Sequence, residues 1–219
     1  VCDGFYNTWD EINDPDRPVS IWEGAGLQPG DLKYRDLDGN GIVDSNDVTS
    51  IGYGNWPEIT YGFSLGGSWK GIDFSILFQG AGRVSTYFSA RSGTYPFAAD
   101  WGPAYEWNLE RWTQERYENG DKITFPRLKL KDIEHNYQKS SFWVQDGSYL
   151  RLKNLEIGYT FPKELLQKAR ISNLRVYISG NNLCTWKNNK YPMDPDAREV
   201  WGRVYPPMRV YNIGVNFQF

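Results

Sequence analysis

The chain ends in Arg209-Val-Tyr-Asn-Ile-Gly-Val-Asn-Phe-Gln-Phe219, where every odd position from Tyr211 is apolar: Tyr211, Ile213, Val215, Phe217 and Phe219. Between them stand Asn212, Gly214, Asn216 and Gln218. Successive side chains of a strand point to opposite faces, so a period of two makes one face oily and the other wet. A soluble sandwich strand alternates in the same way but rarely stops on an aromatic carboxy-terminus. Strands of about 9–11 residues, apolar outside and polar inside, are what a transmembrane β-barrel requires. The ending points to the outer membrane.

Four other segments alternate. In Ile59–Trp69 the residues Ile59, Tyr61, Phe63, Leu65 and Trp69 share one face, and Thr60, Gly62, Ser64, Gly66 and Ser68 share the other. Lys70-Gly71 is a tight turn, after which Ile72, Phe74, Ile76 and Phe78 alternate with polar residues, giving a hairpin. In the segment 149–161, Leu155, Ile157, Tyr159 and Phe161 share a face, while Leu150 and Leu152 stand in the opposite phase. That change of phase predicts a bulge near Lys153-Asn154. The fourth segment, 174–182, sets Val176 and Ile178 against Arg175, Tyr177 and Ser179. Expected strands are thus 59–69, 72–80, 149–161, 174–182 and 208–219.

The connections differ in length. Lys70-Gly71 is short, and 162–172 is a modest turn with one helical turn at 163–168. Long loops occupy 81–148 and 183–207, and residues 1–58 precede the first strand. Short turns on one side and long loops on the other are the pattern of outer-membrane barrels, whose long loops are extracellular. Residues 1–58 are accordingly expected outside the cell. Five strands cannot close a barrel, which needs at least about eight, so partner strands are expected from elsewhere. The chain opens at Val1 without an initiator Met or a signal peptide, and is read as a piece of something longer.

Composition agrees. Of the 219 residues 16% are aromatic, including 10 Trp and 15 Tyr, and 22 are glycine, a profile shared by barrels and by carbohydrate-binding sandwiches. The mean hydropathy of -0.63 opposes helical membrane spans but not a barrel, half of whose strand residues are polar. A net charge of -3 gives no reason to expect nucleic acid. Cys2 and Cys184, both expected in loops, are too few for a disulfide framework or a zinc site and read as two free thiols, with a bond between them as the alternative.

Residues 36–47 place oxygen ligands at loop positions one, three, five, nine and twelve: Asp36, Asp38, Asn40, Asp44 and Asp47. Gly41 stands at the sixth position, where the chain turns sharply; Ile42 offers its carbonyl at the seventh, and Val43 is the aliphatic anchor at the eighth. This spacing wraps hard oxygens round one structural Ca²⁺ at about 2.3–2.6 Å. Asp47 stands where a longer bidentate Glu is usual, so it binds through one oxygen or through water. The bland alternative is an Asx-rich turn without an ion. Gln28-Pro29-Gly30 excludes an entering helix, which favours a staple over a sensor.

Together the acidic loop and the alternating strands make the chain similar to the carboxy-terminal part of SusC/RagA-type TonB-linked outer-membrane transporters. The matching stretches are Pro29–Gly41, Ser68–Phe74 with Phe78-Gln-Gly80, Arg111-Trp-Thr113, Phe142–Thr160 and Ser179-Gly-Asn-Asn-Leu183. The resemblance covers nearly all of the chain from residue 29. It implies an all-β, antiparallel barrel segment, the last five strands of a 22-stranded barrel whose plug and TonB-contacting part lie elsewhere in the polypeptide. It further implies a SusD-like surface lipoprotein as lid, import of glycans or peptides driven through TonB, and a terminal Phe219 read by the barrel-assembly machinery. Thr113-Gln-Glu-Arg-Tyr117 departs from the Pro-containing polar turn common in the family, which puts little in doubt because it affects a loop.

The long loop carries Tyr95, Trp101, Tyr105, Trp107, Trp112 and Tyr117. Such rings stack on sugars and also pack protein interfaces, so Trp101, Trp107 and Trp112 are candidate contacts to ligand or to the lid, against packing on other loops. Asp194 and Asp196 mimic a hydrolase pair, but neighbours in a Pro-bearing loop rarely span the about 5–10 Å cleft a glycosidase needs. His135 is alone and reads as a solvated loop residue. No nucleotide, zinc or nucleophile motif is present, so the chain is not expected to be an enzyme. The alternative in a different class is a secreted calcium-bearing β-sandwich that binds carbohydrate.

Overall fold

The computed structural model describes residues 1–24, 26–88, 104–129, 134–167, 170–189, 194–196, 205 and 207–219. Small elements come first: β1 (Cys2–Phe5), α1 (Trp9–Asn13), β2 (Val19–Ser20), β3 (Leu32–Tyr34) and β4 (Ile42–Val43). Thr8 caps α1, its hydroxyl accepting from the Glu11 amide at 3.3 Å. The hairpin β5 (Ile59–Trp69) and β6 (Ile72–Gly82) follows, turning through Lys70 (φ 49°) and Gly71 (φ 87°). Two successive positive φ values match the right-handed twist of the flanking strands, which is why so short a turn closes here.

Next come β7 (Ser85–Tyr87), α2 (Gln114–Glu118), β8 (Val144–Asp146), β9 (Tyr149–Thr160), α3 (Lys163–Leu166), β10 (Asn173–Lys187) and β11 (Val210–Gln218). The five long strands form one antiparallel sheet in the order β11-β10-β9-β6-β5. β10 runs on to Lys187, past the expected end at residue 182. It does so by skipping Asn182, held at φ 53°, and Leu183 opposite the bulge of β9. Cys2 and Cys184 are free, but both lie in strands rather than in loops.

Residues 1–58 and the stretch after β6 are not independent loops. Leu32, Tyr34 and Val43 bury themselves against Phe125, Tyr137 and Trp143 in one core, with Phe5, Trp22 and Phe142 around it. Edge-to-face ring pairs fill it, Phe142 with Trp143 at 4.7 Å and Phe125 with Trp143 at 5.8 Å. A buried polar network crosses the same seam. Asp31 accepts from Arg127 Nε at 2.7 Å, Asn136 Nδ2 at 2.9 Å and the Gln28 amide at 2.9 Å, so the buried carboxylate is fully satisfied.

His135 corrects the sequence reading. It is 1% exposed, with Nε2 at 2.6 Å from the Leu32 carbonyl, Nδ1 at 3.3 Å from Ser20 Oγ, and its ring tilted on Tyr34. A polar neighbourhood in sequence became a packed seam because the segment 134–143 folds back on β3.

Candidate functional site

The register of the long sheet sorts its residues by chemistry. On one face the paired rows are Leu65, Ile76, Leu155, Gly180, Tyr211; then Gly67, Phe74, Ile157, Ile178, Ile213; then Trp69, Ile72, Tyr159, Val176, Val215. On the other face they are Gly66, Ser75, Glu156, Ser179, Asn212; then Ser68, Asp73, Gly158, Tyr177, Gly214. In β9 the expected bulge is present: Leu77 pairs Asn154 but Phe78 pairs Leu152, leaving Lys153 unpaired. That one extra residue returns Leu150 and Leu152 to the apolar face, which would otherwise change sides halfway up the strand.

Among the described residues no second layer covers the apolar face: every residue of β5 is exposed, and Ile213 is 83% exposed. A soluble sandwich would bury this face against a partner sheet. A barrel wall leaves it to lipid and keeps the polar face inside.

The polar face carries two ionic networks. Arg175 reaches both Asp73 and Glu156, the latter at 2.8 Å. Its guanidinium lies over Gly158, where a Cβ would stand 2.4 Å from Nη2, so glycine is needed for the close approach. Nearer the long-loop end, Arg151 is 2% exposed and donates to Thr185 Oγ1 at 3.0 Å, Asp196 Oδ2 at 2.8 Å and both Asp194 oxygens at 2.6 and 2.7 Å. The Tyr149 hydroxyl also bonds Asp196. The acidic pair that mimics a hydrolase is thus an arginine clamp.

In the acidic loop, oxygens of Asp36, Asp38 and Asp47 lie within 4.8 Å of one another. Gly39 (φ 75°) and Gly41 (φ 83°) turn the chain so that their amides donate to the two Asp36 oxygens, each at 2.7 Å. Asp47 closes the loop by accepting from the Leu37 amide at 2.6 Å and the Asp44 amide at 2.8 Å. The amides of Asp44 and then Leu37 hold the Asp47 carboxyl below the usual carboxylate range.

Asn40 stands beside that cluster, its Nδ2 donating to Asp38 Oδ2 at 3.1 Å. Asp44 accepts from the Asn46 amide and Nδ2, and Asn40 Oδ1 accepts from the Ile42 amide at 2.7 Å. β4 pairs in parallel with β2 through the carbonyls of Gly41 and Val43, so by strand alternation the Ile42 carbonyl points away from β2. Val43 anchors the loop in the aromatic core. Three converging carboxylates with a carbonyl turned away from β2 suit a hard cation of flexible coordination.

No protein-family model matches the chain. TonB-dependent receptor P3 of Formosa agariphila is 30% identical over 210 residues, covering 87% of this chain and 19% of that protein. TonB-dependent receptor P26 of the same organism is 27% identical over 202 residues, covering 87% of this chain and 20% of that protein. Among solved structures, the RagAB peptide importer in its closed-closed state matches with a TM-score of 0.62 at 26% identity, over 87% of this chain and 21% of that one. The RagAB peptide transporter matches with 0.60 at 29% identity, over 84% and 20%. The chain belongs to the RagA-type TonB-dependent receptors.

It spans 19–20% of the length of the two Formosa receptors. Within this RagA-type segment, the long sheet is a stretch of barrel wall. Trp112 takes the loop-packing alternative of the sequence reading: it is 8% exposed, packed on Gly30 (φ 95°) with its indole N–H on Asn7 Oδ1 at 3.1 Å. Trp107 is half-buried on the aromatic core and stacks on Tyr105 at 4.2 Å. Trp101 lies outside the described residues. Phe219 stands just beyond β11, 84% exposed, its ring edge-on to Phe217 at 5.4 Å.

Proposed function

We propose that this chain is the last five strands of a 22-stranded TonB-dependent outer-membrane importer that takes up glycans or peptides with a SusD-like surface lipoprotein. The observation that carries this reading is the unbroken apolar face running across all five strands, backed by a polar face of glycine, serine and ion pairs. The free edges of β5 and β11 require further strands, because unpaired backbone is forbidden in hydrocarbon. The polypeptide that supplies them also supplies the plug and the TonB contact. The long connections, with residues 1–58, stand outside the cell.

The test is depth-dependent. In the full-length transporter, Ile213→Arg should cost ~2–4 kcal/mol of barrel stability near the midplane, and Asn212→Arg much less. Equal effects in heat- or urea-induced unfolding in lipid would sink the barrel wall. Uptake of labelled oligosaccharides and of labelled peptides by the same cells then names the cargo.

The acidic loop is proposed to hold one structural Ca²⁺ through Asp36, Asp38, Asn40, Asp44, Asp47 and the Ile42 carbonyl. The three carboxylates that already converge support this, since without a cation they repel. Mg²⁺ fits less well, because it demands a tight octahedron and keeps its waters. Calcium here would order residues 31–50 and anchor them through Val43, without touching cargo. Asp36→Ala with Asp38→Ala should abolish calcium binding by calorimetry and speed proteolysis within this loop, while the barrel stays folded. An unchanged calcium isotherm would refute the site.

A further inference from the structure

Arg151 lies in the upper half of β9, on the face opposite Leu150 and Leu152, paired with Gln79 of β6 and Thr185 of β10. It therefore points into the lumen. Its two acidic partners do not belong to the wall: Asp194 and Asp196 come from the connection between β10 and β11. Pro195 between them is buried. The Asp196 amide donates to Asp194 Oδ1 at 2.9 Å, which presents both carboxylates side by side as a fork for one guanidinium. Thr185 and Tyr149 take up the remaining polar positions. A segment read from sequence as an extracellular arm is thus fastened to the inner wall, at the end of the barrel that carries the long loops.

We propose that Arg151 is a positioning residue for the transport path. It holds Asp194-Pro195-Asp196 as a strap inside the extracellular mouth, and the strap narrows that mouth. The idea rests on the barrel reading above. A buried arginine with three partners is a strong fastening, because removing one side of such a pair leaves charge without compensation. Two carboxylates on one cation also leave the strap acidic, so it presents negative charge to whatever enters.

The experiment uses the full-length transporter in outer membranes, with its partners. Arg151→Met removes the clamp, and Asp194→Asn with Asp196→Asn removes it from the other side while leaving an arginine that lumen water can hydrate. Hydrogen exchange at the Asp196 amide should quicken by about tenfold or more in both variants. Cells carrying either should become sensitive to a bulky hydrophilic antibiotic that the parent excludes.

Faster exchange with unchanged exclusion would overturn the proposal and reduce the pair to an anchor, and unchanged exchange would show that the clamp does not hold the strap. If Arg151→Met fails to assemble, the double variant decides. Failure of both to reach the membrane would make the pair an assembly device and overturn the proposal as well. Heat-modifiable migration of the parent protein tests the barrel reading separately from the strap.

Discussion

Single residues divide by whether their chemistry is local. The turn of the acidic loop was legible because its acidic residues lie within twelve positions and glycines at fixed offsets force it. His135, Asp31, Arg127 and Arg151 were not legible, since their long-range partners lie 34 to 115 residues away and no periodic pattern announces a buried ion pair. The one usable signal was the spacing of Asp194 and Asp196 around a proline, read as failed catalysis rather than as a fork awaiting an arginine.

His135 also carries a pH prediction. Burial depresses its pKa, with Asp31 and Glu23 pulling the other way, so the native form is neutral. The unfolded chain takes up a proton near the ordinary value of 6.5, while the native seam resists it. Stability of the aromatic unit should therefore be full above pH 6.5 and fall as the pH drops through that value. It should level off once the native histidine is protonated as well. Tryptophan fluorescence melts between pH 5 and 8 should show the slope, and His135→Gln should flatten it.

At the scale of the element, the bulge in β9 links sequence phase to membrane chemistry. The switch of apolar residues from even to odd positions between Leu152 and Leu155 made it readable, because only an inserted residue keeps both halves on one face. The extension of β10 to Lys187 was not readable, since Asn182 and Leu183 look like the start of a loop and become strand only by matching that bulge. Deleting Lys153 together with Asn154 should swing Leu150 and Leu152 into the lumen and put Tyr149 and Arg151 against lipid. An arginine on the lipid face costs ~2–4 kcal/mol near the midplane and less near the interface. Outer-membrane levels of this double deletion should drop sharply, whereas deleting Lys153 alone, which removes only the extra residue and keeps both halves on their faces, should be far better tolerated. Normal assembly of the double deletion would show that β9 can slide in register without penalty.

For the whole molecule, the chain divides into a wall that water does not stabilise and an aromatic unit that it does. The wall has no core of its own, and its oily face waits for lipid. The unit built from residues 1–58 and the stretch after β6 has a closed core and a satisfied buried ion pair. Sequence alternation revealed the first because a barrel strand is a local pattern. It missed the second, treating it as two loops, because Leu32 and Trp143 meet only after β5 and β6 have carried the chain down and back. This division separates folding of the unit from insertion of the wall, and it bears on Phe219. The ring is almost fully exposed beyond β11 and stands edge-on to Phe217, so it adds little to the finished sheet. If it serves recognition by the assembly machinery, deleting Phe219 should lower the amount of transporter at the surface several-fold. The melting of whatever does assemble should scarcely change. Surface labelling of intact cells measures the first quantity and heat-modifiable migration of purified protein the second. A deletion that assembles at parental levels but melts earlier would make Phe219 an interfacial anchor and nothing more.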